Sequence, residues 1–257
     1  MKMDWLREKE EVIAVDGEYN FSYSVPAIEG YYVELAENSP SGFEVSDWKL
    51  TGSFSDNSSV TVTVIYIANA ADYTVKHFFQ NLDDENYTED TGAEAHVNGK
   101  NGELTDAQPI HKAGFTVQRP IEQKEISADG QTVVNVYYNR NAYRLTYETD
   151  GGSYVPYQKG LYESKQSVAA GSEKEGYTFG GWYANPEGIG NQIRGTIDLI
   201  SDITLYAKWT PTLVDYTIVY LIENADDVNY SYLTSSVKKA ETGSTVTVKA
   251  GDGNPSQ

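Results

Sequence analysis

The chain has 257 residues, with 19 basic against 38 acidic side chains and a formal net charge of −19; a surface of that sign opposes binding to nucleic acid or anionic membranes and favours solubility. It contains no cysteine, which excludes a disulfide framework and a thiolate metal site without fixing the redox compartment. No apolar leader follows Met1 and no run is long enough to span a bilayer, so if the protein is exported it is expected to be an internal piece of a longer polypeptide.

Strand signals dominate, because apolar and polar residues alternate with period two and almost nothing carries a helical period. In chain order, core-facing sets are expected at Val60, Val62, Val64 and Tyr66, then at Val134, Val136 and Tyr138, then at Tyr143, Leu145 and Tyr147. Two more follow, Ile203, Leu205, Ala207 and Trp209, then Tyr216, Ile218, Tyr220 and Ile222. Turn chemistry fills the gaps, as in Asn98-Gly99-Lys100-Asn101-Gly102, Asp129-Gly130, Asp150-Gly151-Gly152 and Asn185-Pro186-Glu187-Gly188.

The strands repeat. Gly42-Phe43-Glu44-Val45, with a strand ending at Tyr66, matches Gly114-Phe115-Thr116-Val117, with a strand ending at Tyr138, at one offset of 72 residues. Tyr73, Tyr143 and Tyr216 open successive units 70 and 73 residues apart. The chain therefore reads as a tandem array: a partial module at 11–71, whole modules at 72–142 and 143–211, and the truncated start of another at 212–257. The joints, 67–72, 139–142 and 210–215, are short and none is a flexible Gly/Ser linker. Modules of roughly 60–70 residues sit near the lower limit for independent folding, so their aromatic residues must supply the core. Tyr138, Val136, Tyr147, Trp182, Leu205 and Trp209 are the expected core, and the stretch 216–250 is expected to be poorly packed.

Candidate sites are sparse. His77, His96 and His111 lie in separate segments without the carboxylate spacing of a metal or catalytic site. The acidic turns Asp83-Asp84-Glu85 and Asp226-Asp227 lack calcium-loop spacing and read as solvated hairpin turns. Lys76, Lys112 and Lys208 lie near strands, but nothing selects an Asn and an acid to complete an isopeptide bond with them. No nucleophile elbow, phosphate loop or zinc-protease helix occurs, so no enzyme activity and no cofactor are expected. Tyr154, Tyr157 and Tyr162, with Tyr183 and Tyr230, lie in or near turns, where exposed rings could stack on sugars; the plainer reading is half-buried strand tyrosine.

Residues 143–210 resemble the Listeria–Bacteroides repeat, related to the B repeat of internalin-type surface proteins, through Tyr147-Glu-Thr-Asp-Gly-Gly, Glu175-Gly-Tyr-Thr-Phe-Gly-Gly-Trp-Tyr183 and Asp202-Ile-Thr-Leu-Tyr-Ala-Lys-Trp-Thr210. Residues 72–141 are similar to a mucin-binding-protein (MucBP-type) repeat through Tyr73-Thr-Val-Lys-His-Phe-Phe, Ala113-Gly-Phe115 and Ile126 to Tyr138, and both ends of the chain are similar to the same repeat. The resemblance implies a mostly β protein of ubiquitin-like β-grasp (α+β) modules in an elongated array, with the first and last strand of each module side by side and parallel. It also implies the extracellular surface or cell wall of a Gram-positive bacterium. The function expected is a non-enzymatic stalk or spacer and adhesin; the alternative is a carbohydrate- or mucin-binding module acting through exposed tyrosines on a host glycoprotein or glycan. A monomeric fragment, with no membrane insertion and no nucleic acid partner, is expected.

Overall fold

A computed structural model describes residues 19–54 and 60–248. They form eighteen strands and a single 3-10 turn at Thr91–Ala93, with no α-helix among the described residues. The protein is mostly β, built of several small sheets. The first ten strands are β1 (Tyr19–Ser24), β2 (Tyr31–Leu35), β3 (Phe43–Ser46), β4 (Lys49–Phe54), β5 (Val64–Ala68), β6 (Ala70–Gln80), β7 (Tyr87–Glu89), β8 (Ala95–Lys100), β9 (Phe115–Val117) and β10 (Thr132–Arg140). The other eight are β11 (Ala142–Glu148), β12 (Gln158–Leu161), β13 (Lys165–Ser167), β14 (Tyr177–Tyr183), β15 (Thr196–Asp198), β16 (Ile203–Pro211), β17 (Leu213–Glu223) and β18 (Tyr230–Glu241). The described residues fall into two compact units, one drawn from those up to Asn81 with Glu85–His111 and Val117–Asn139, the other from Leu82–Asp84, Lys112–Thr116 and those from Arg140 onward.

In the first unit β6 and β10 pair in parallel, from Tyr73 opposite Thr132 to Phe79 opposite Tyr138. Period two then decides the core: Tyr73, Val75, His77 and Phe79 of β6 and Thr132, Val134, Val136 and Tyr138 of β10 all turn inward and are buried. On its other edge β6 pairs antiparallel with β7 and β8. The core is closed by irregular chain that carries no periodic signal, through Thr105, Ala107 and Ile126. There the Gln123 carboxamide accepts from Thr105 Oγ1 and the Ala107 amide, both at 2.8 Å, and donates to the Ala107 carbonyl at 3.1 Å. That amide replaces a strand pairing with side-chain bonds.

The N-terminal stretch has two small antiparallel sheets, β1-β4-β3 and β2-β5. Here the expected repeat needs correction. Gly42-Phe43 opens β3, whose partner is β4, whereas Gly30-Tyr31 opens β2, which pairs with the closing strand β5. Gly30 (φ +80°), Gly114 (φ +77°) and Gly176 (φ +78°) share a left-handed conformation just ahead of Tyr31, Phe115 and Tyr177, and each of those aromatic amides donates to the carbonyl three residues back. Gly30, not Gly42, is the counterpart of Gly114.

In the second unit β11 and β16 again pair in parallel, from Leu145 opposite Ile203 to Glu148 opposite Tyr206, within the sheet β12-β11-β16-β14. Leu145, Tyr147, Trp182, Leu199, Leu205 and Ala207 form its buried cluster. The Tyr147 and Trp182 rings lie 4.7 Å apart, and both tie down one residue: the Trp182 indole N–H donates to the Ala169 carbonyl at 2.8 Å, and the Ala169 amide donates to the Tyr147 hydroxyl at 2.9 Å. Trp209, expected in the core, stands half-buried at its rim and packs on Phe179 at 5.4 Å.

β17 and β18 make a two-stranded ribbon. Tyr216, Ile218 and Tyr220 are only half-buried and Ile222 is 54% exposed. The expected core-facing set is correct in parity, but among the described residues no further strand joins the ribbon, and a two-stranded ribbon cannot bury a face alone. The closing residues 249–257 lie outside the described part of the chain.

Candidate functional site

Two kinds of feature stand out once the strands are placed: the joints and the exposed aromatic faces. Each closing strand runs into the next opening strand across a single residue, Asn69 between β5 and β6, Asn141 between β10 and β11, and Thr212 between β16 and β17. The same pair of backbone bonds holds all three. The amides of Asn69, Asn141 and Thr212 donate to the carbonyls of Gly30, Gly114 and Gly176 at 2.8, 2.8 and 2.9 Å. Their carbonyls accept from the amides of Asn101, Tyr162 and Thr242 at 3.0, 2.8 and 2.9 Å. A side chain at any of the three glycines would collide with the side chain of the residue that bonds the joint, Asn101, Tyr162 or Thr242. Glycine is required there by its positive φ and by this close approach.

Of the tyrosines expected to bind ligand, Tyr154 is 81% and Tyr157 50% exposed, and Arg144 covers the Tyr157 ring at 4.9 Å. Tyr162 is engaged differently. It packs edge-on against Phe115 at 5.9 Å and Tyr143 at 6.4 Å, beside the Asn141 joint, so packing already uses its ring. Tyr183 stacks under Lys208 at 5.5 Å, and Tyr230 is 64% exposed on β18.

A second aromatic face was not singled out by the sequence. On the outer side of the β6–β10 pair, Phe78 and Tyr137 stand in register and stack at 5.2 Å, with Tyr87 edge-on to Tyr137 at 5.3 Å. Amides border the rings: the Tyr87 hydroxyl donates to Asn139 Oδ1 at 2.7 Å, and Gln118 Nε2 donates to both, at 2.6 and 2.8 Å. The outward parity of Phe78 and Tyr137 is the signal that could have found it. An open depression of about 610 Å³, bordered by Asp106, Gln108, Arg119 and Pro120, has no aromatic residue in its lining.

The histidines do not share an environment. His77 is buried, with Nδ1 2.8 Å from the Tyr138 hydroxyl, which also accepts from the Ile110 amide at 2.8 Å. His96 is exposed beside Glu94 and Thr74, and His111 is exposed. Burial pushes the His77 imidazole below its ordinary value and the Tyr138 hydroxyl above its own. A lowered histidine pKa means that the unfolded chain takes up a proton the folded chain refuses, so stability is full above the ordinary histidine value of about 6.5 and falls as pH drops below it. The melting temperature of the first unit is expected to fall between pH 7.5 and 5.5, and His77→Gln to flatten that slope in thermal melts; an unchanged slope would remove His77 as its source.

Lys76 Nζ pairs with Glu89 and Glu94 at 2.9 and 3.2 Å, and those partners raise its pKa. Lys208 Nζ donates to the Gly188 carbonyl at 2.9 Å, and Lys112 lies 5.9 Å over the Phe115 ring. Asp83 to Glu85 occupy a turn closed by the Asn81 amide on the Asn86 carbonyl. Asp227 accepts from the Asn229 amide and the Asn224 carboxamide, which hold its carboxyl below the usual range. Among the described residues no group of three or more His, Cys, Asp or Glu could hold a metal ion, and no helix is long and apolar enough to cross a membrane.

Residues 143–208 match the Listeria-Bacteroides repeat domain. This repeat domain is typical of surface proteins and carries no catalytic family. Two relatives come from Evansella cellulosilytica. One, provisionally named as a membrane protein, is 32% identical over 110 residues, covering 43% of this chain and 15% of its own length. The other, provisionally named as a glycine-rich membrane protein, is 39% identical over 70 residues, covering 27% of this chain and 8% of its own. The chain thus spans a small fraction of the curated relatives it matches.

Proposed function

We propose that this chain is the non-enzymatic repeat region of a bacterial surface protein and serves as a stalk. The observation that carries this is the one-residue joint, hydrogen-bonded on both sides and repeated three times. Such a joint transmits tension with little slack. Within a module, tension drawn through parallel opening and closing strands loads their ladder bonds together in shear. The parallel pairs β6–β10 and β11–β16 also support the finer reading of the modules as β-grasp variants, with residues 72–141 a MucBP-type repeat on the extracellular side of a Gram-positive wall. Pulling the chain by its two ends should give discrete unfolding steps, the repeat domain among the last to yield. A smooth extension at low force would overturn the stalk reading.

The outer face of β6–β10 favours a second reading, adhesion to a host glycan or glycoprotein. Phe78, Tyr87 and Tyr137 offer rings, and Gln118 and Asn139 offer amides, the combination that sugar recognition uses. On a mucin and glycan panel, Tyr137→Ala should weaken binding at least tenfold with the fold intact. The Tyr154/Tyr157 pair, exposed on the repeat domain, supplies the contrasting variant: loss of binding there and not at Tyr137 would move the adhesive surface to the repeat domain.

A further inference from the structure

The aromatic face of β6–β10 carries more than rings. Gln118 Nε2 donates to both the Tyr87 hydroxyl and Asn139 Oδ1, and Asn139 Oδ1 also accepts from Tyr87. This closed ring of three bonds fixes both carboxamides, and the Gln118 backbone amide is tied to the Tyr137 carbonyl at 2.8 Å. A carboxamide has one oxygen and two N–H protons, so the bonds leave one acceptor, Gln118 Oε1, and one donor group, Asn139 Nδ2. Neither has a hydrogen-bond partner among the described residues, and both residues are exposed. An acceptor beside a donor suits two neighbouring hydroxyls, one giving its proton to Gln118 and the next receiving one from Asn139.

Charge on the same face is one-sided. Side chains alternate along a strand, so Lys76 shares the outer face with Phe78, and Glu89 stands opposite Phe78 in the β6–β7 register. Lys76 Nζ is held by Glu89 at 2.9 Å and by Glu94 at 3.2 Å, one ammonium against two carboxylates. Lys76 is the one cation among the outward residues of β6, β7 and β10. Arg119 follows Gln118 at the opposite parity and borders the depression beside Asp106. A bound anion would therefore meet excess negative charge, in a chain whose net charge is already −19, whereas an uncharged ligand would meet only the rings and the two free amide groups. Resting on the reading of this face as a glycan surface, we propose that its ligand is an uncharged sugar ring with two neighbouring hydroxyls, and that acidic sugars are refused. Gln118 and Asn139 read the hydroxyl pair, and the carboxylates of Glu89 and Glu94 set the charge selectivity.

Ligand-observed NMR on the full chain, at neutral pH and low salt, tests it. The probes are the methyl pyranosides of galactose, glucose and mannose against their uronic acids, which keep the ring hydroxyls and exchange one hydroxymethyl group for a carboxylate. At least one neutral pyranoside should bind, and its uronate should bind roughly fivefold or more weakly. Gln118→Ala should weaken the neutral sugar about fivefold. Glu89→Gln combined with Glu94→Gln frees the Lys76 ammonium and should bring the uronate level with the neutral sugar or above it, a reversal that a damaged fold would not produce. Equal binding of the two sugars by the parent chain would overturn the proposal and leave the adhesive reading standing. A double variant that still refuses the uronate would do the same. Binding of none of the sugars would overturn both.

Discussion

Trp182→Ala should unfold the repeat domain at ordinary temperature while leaving the β6–β10 sheet intact. The side chain is 2% exposed, packs on Tyr147 and on Phe179 at 5.1 Å, and bonds the Ala169 carbonyl. Removing a buried ring of this size costs about 3–5 kcal/mol. A domain of the length of residues 143–208, at roughly 0.05–0.15 kcal/mol per residue, holds on the order of 3–10 kcal/mol in all. The loss therefore takes most of the margin. Trp209→Ala should cost less, about 1–3 kcal/mol, because that ring is half in solvent and carries Lys174 on its face. Hydrogen exchange read by mass spectrometry resolves the two, since peptides from β16 should lose protection in Trp182→Ala and keep most of it in Trp209→Ala. Parental protection in the Trp182 variant would show that the core lies elsewhere.

The second large effect is expected at Gly114. Its φ of +77° and the closeness of Tyr162, whose ring carbon would lie 2.2 Å from an added Cβ, give alanine two separate penalties. A left-handed backbone costs a residue with a Cβ about 1–2 kcal/mol, and forcing an extra carbon into a packed contact costs about 1–3 kcal/mol more. Gly114→Ala should therefore lose about 2–5 kcal/mol locally, read as faster exchange of the Asn141 and Tyr162 amides. Adding Tyr162→Ala should return only the steric share, leaving the backbone share behind. Full recovery in the double variant would mean that the backbone penalty is absent.

Much of this was written into the alternation. Val134, Val136 and Tyr138, and Leu145, Tyr147 and Leu205, are buried in the parity their spacing demands, because successive side chains of a strand point to opposite faces and these strands turn one face to the core. Matters settled by distant partners were not legible. Gly42-Phe43 and Gly30-Tyr31 look alike as strings, and only the pairing of β2 with β5 shows which one is the repeating turn. Ala107, Ile126 and Leu199 are among the most buried residues, yet they sit in chain without period. The same limit applies to Tyr162: a tyrosine near a turn reads as exposed until Gly114, far off in sequence, leaves room for its ring to pack. Phe78 and Tyr137 lie far apart in sequence and become one aromatic face only through the pairing of β6 with β10.

The single-residue joint has a consequence for how such a chain can change over generations. One residue added at position 69, 141 or 212 would turn every inward side chain of the following strand outward. Two added residues would keep the parity but shift the strand by about 6.6 Å, beyond reach of the glycine carbonyl that anchors the joint. Small insertions are therefore excluded at these positions, while a whole repeat gained or lost between two joint codons leaves every register as it was. Copy number is the variable that recombination can alter without remaking the fold, and in the proposed stalk it would set the reach by that means alone.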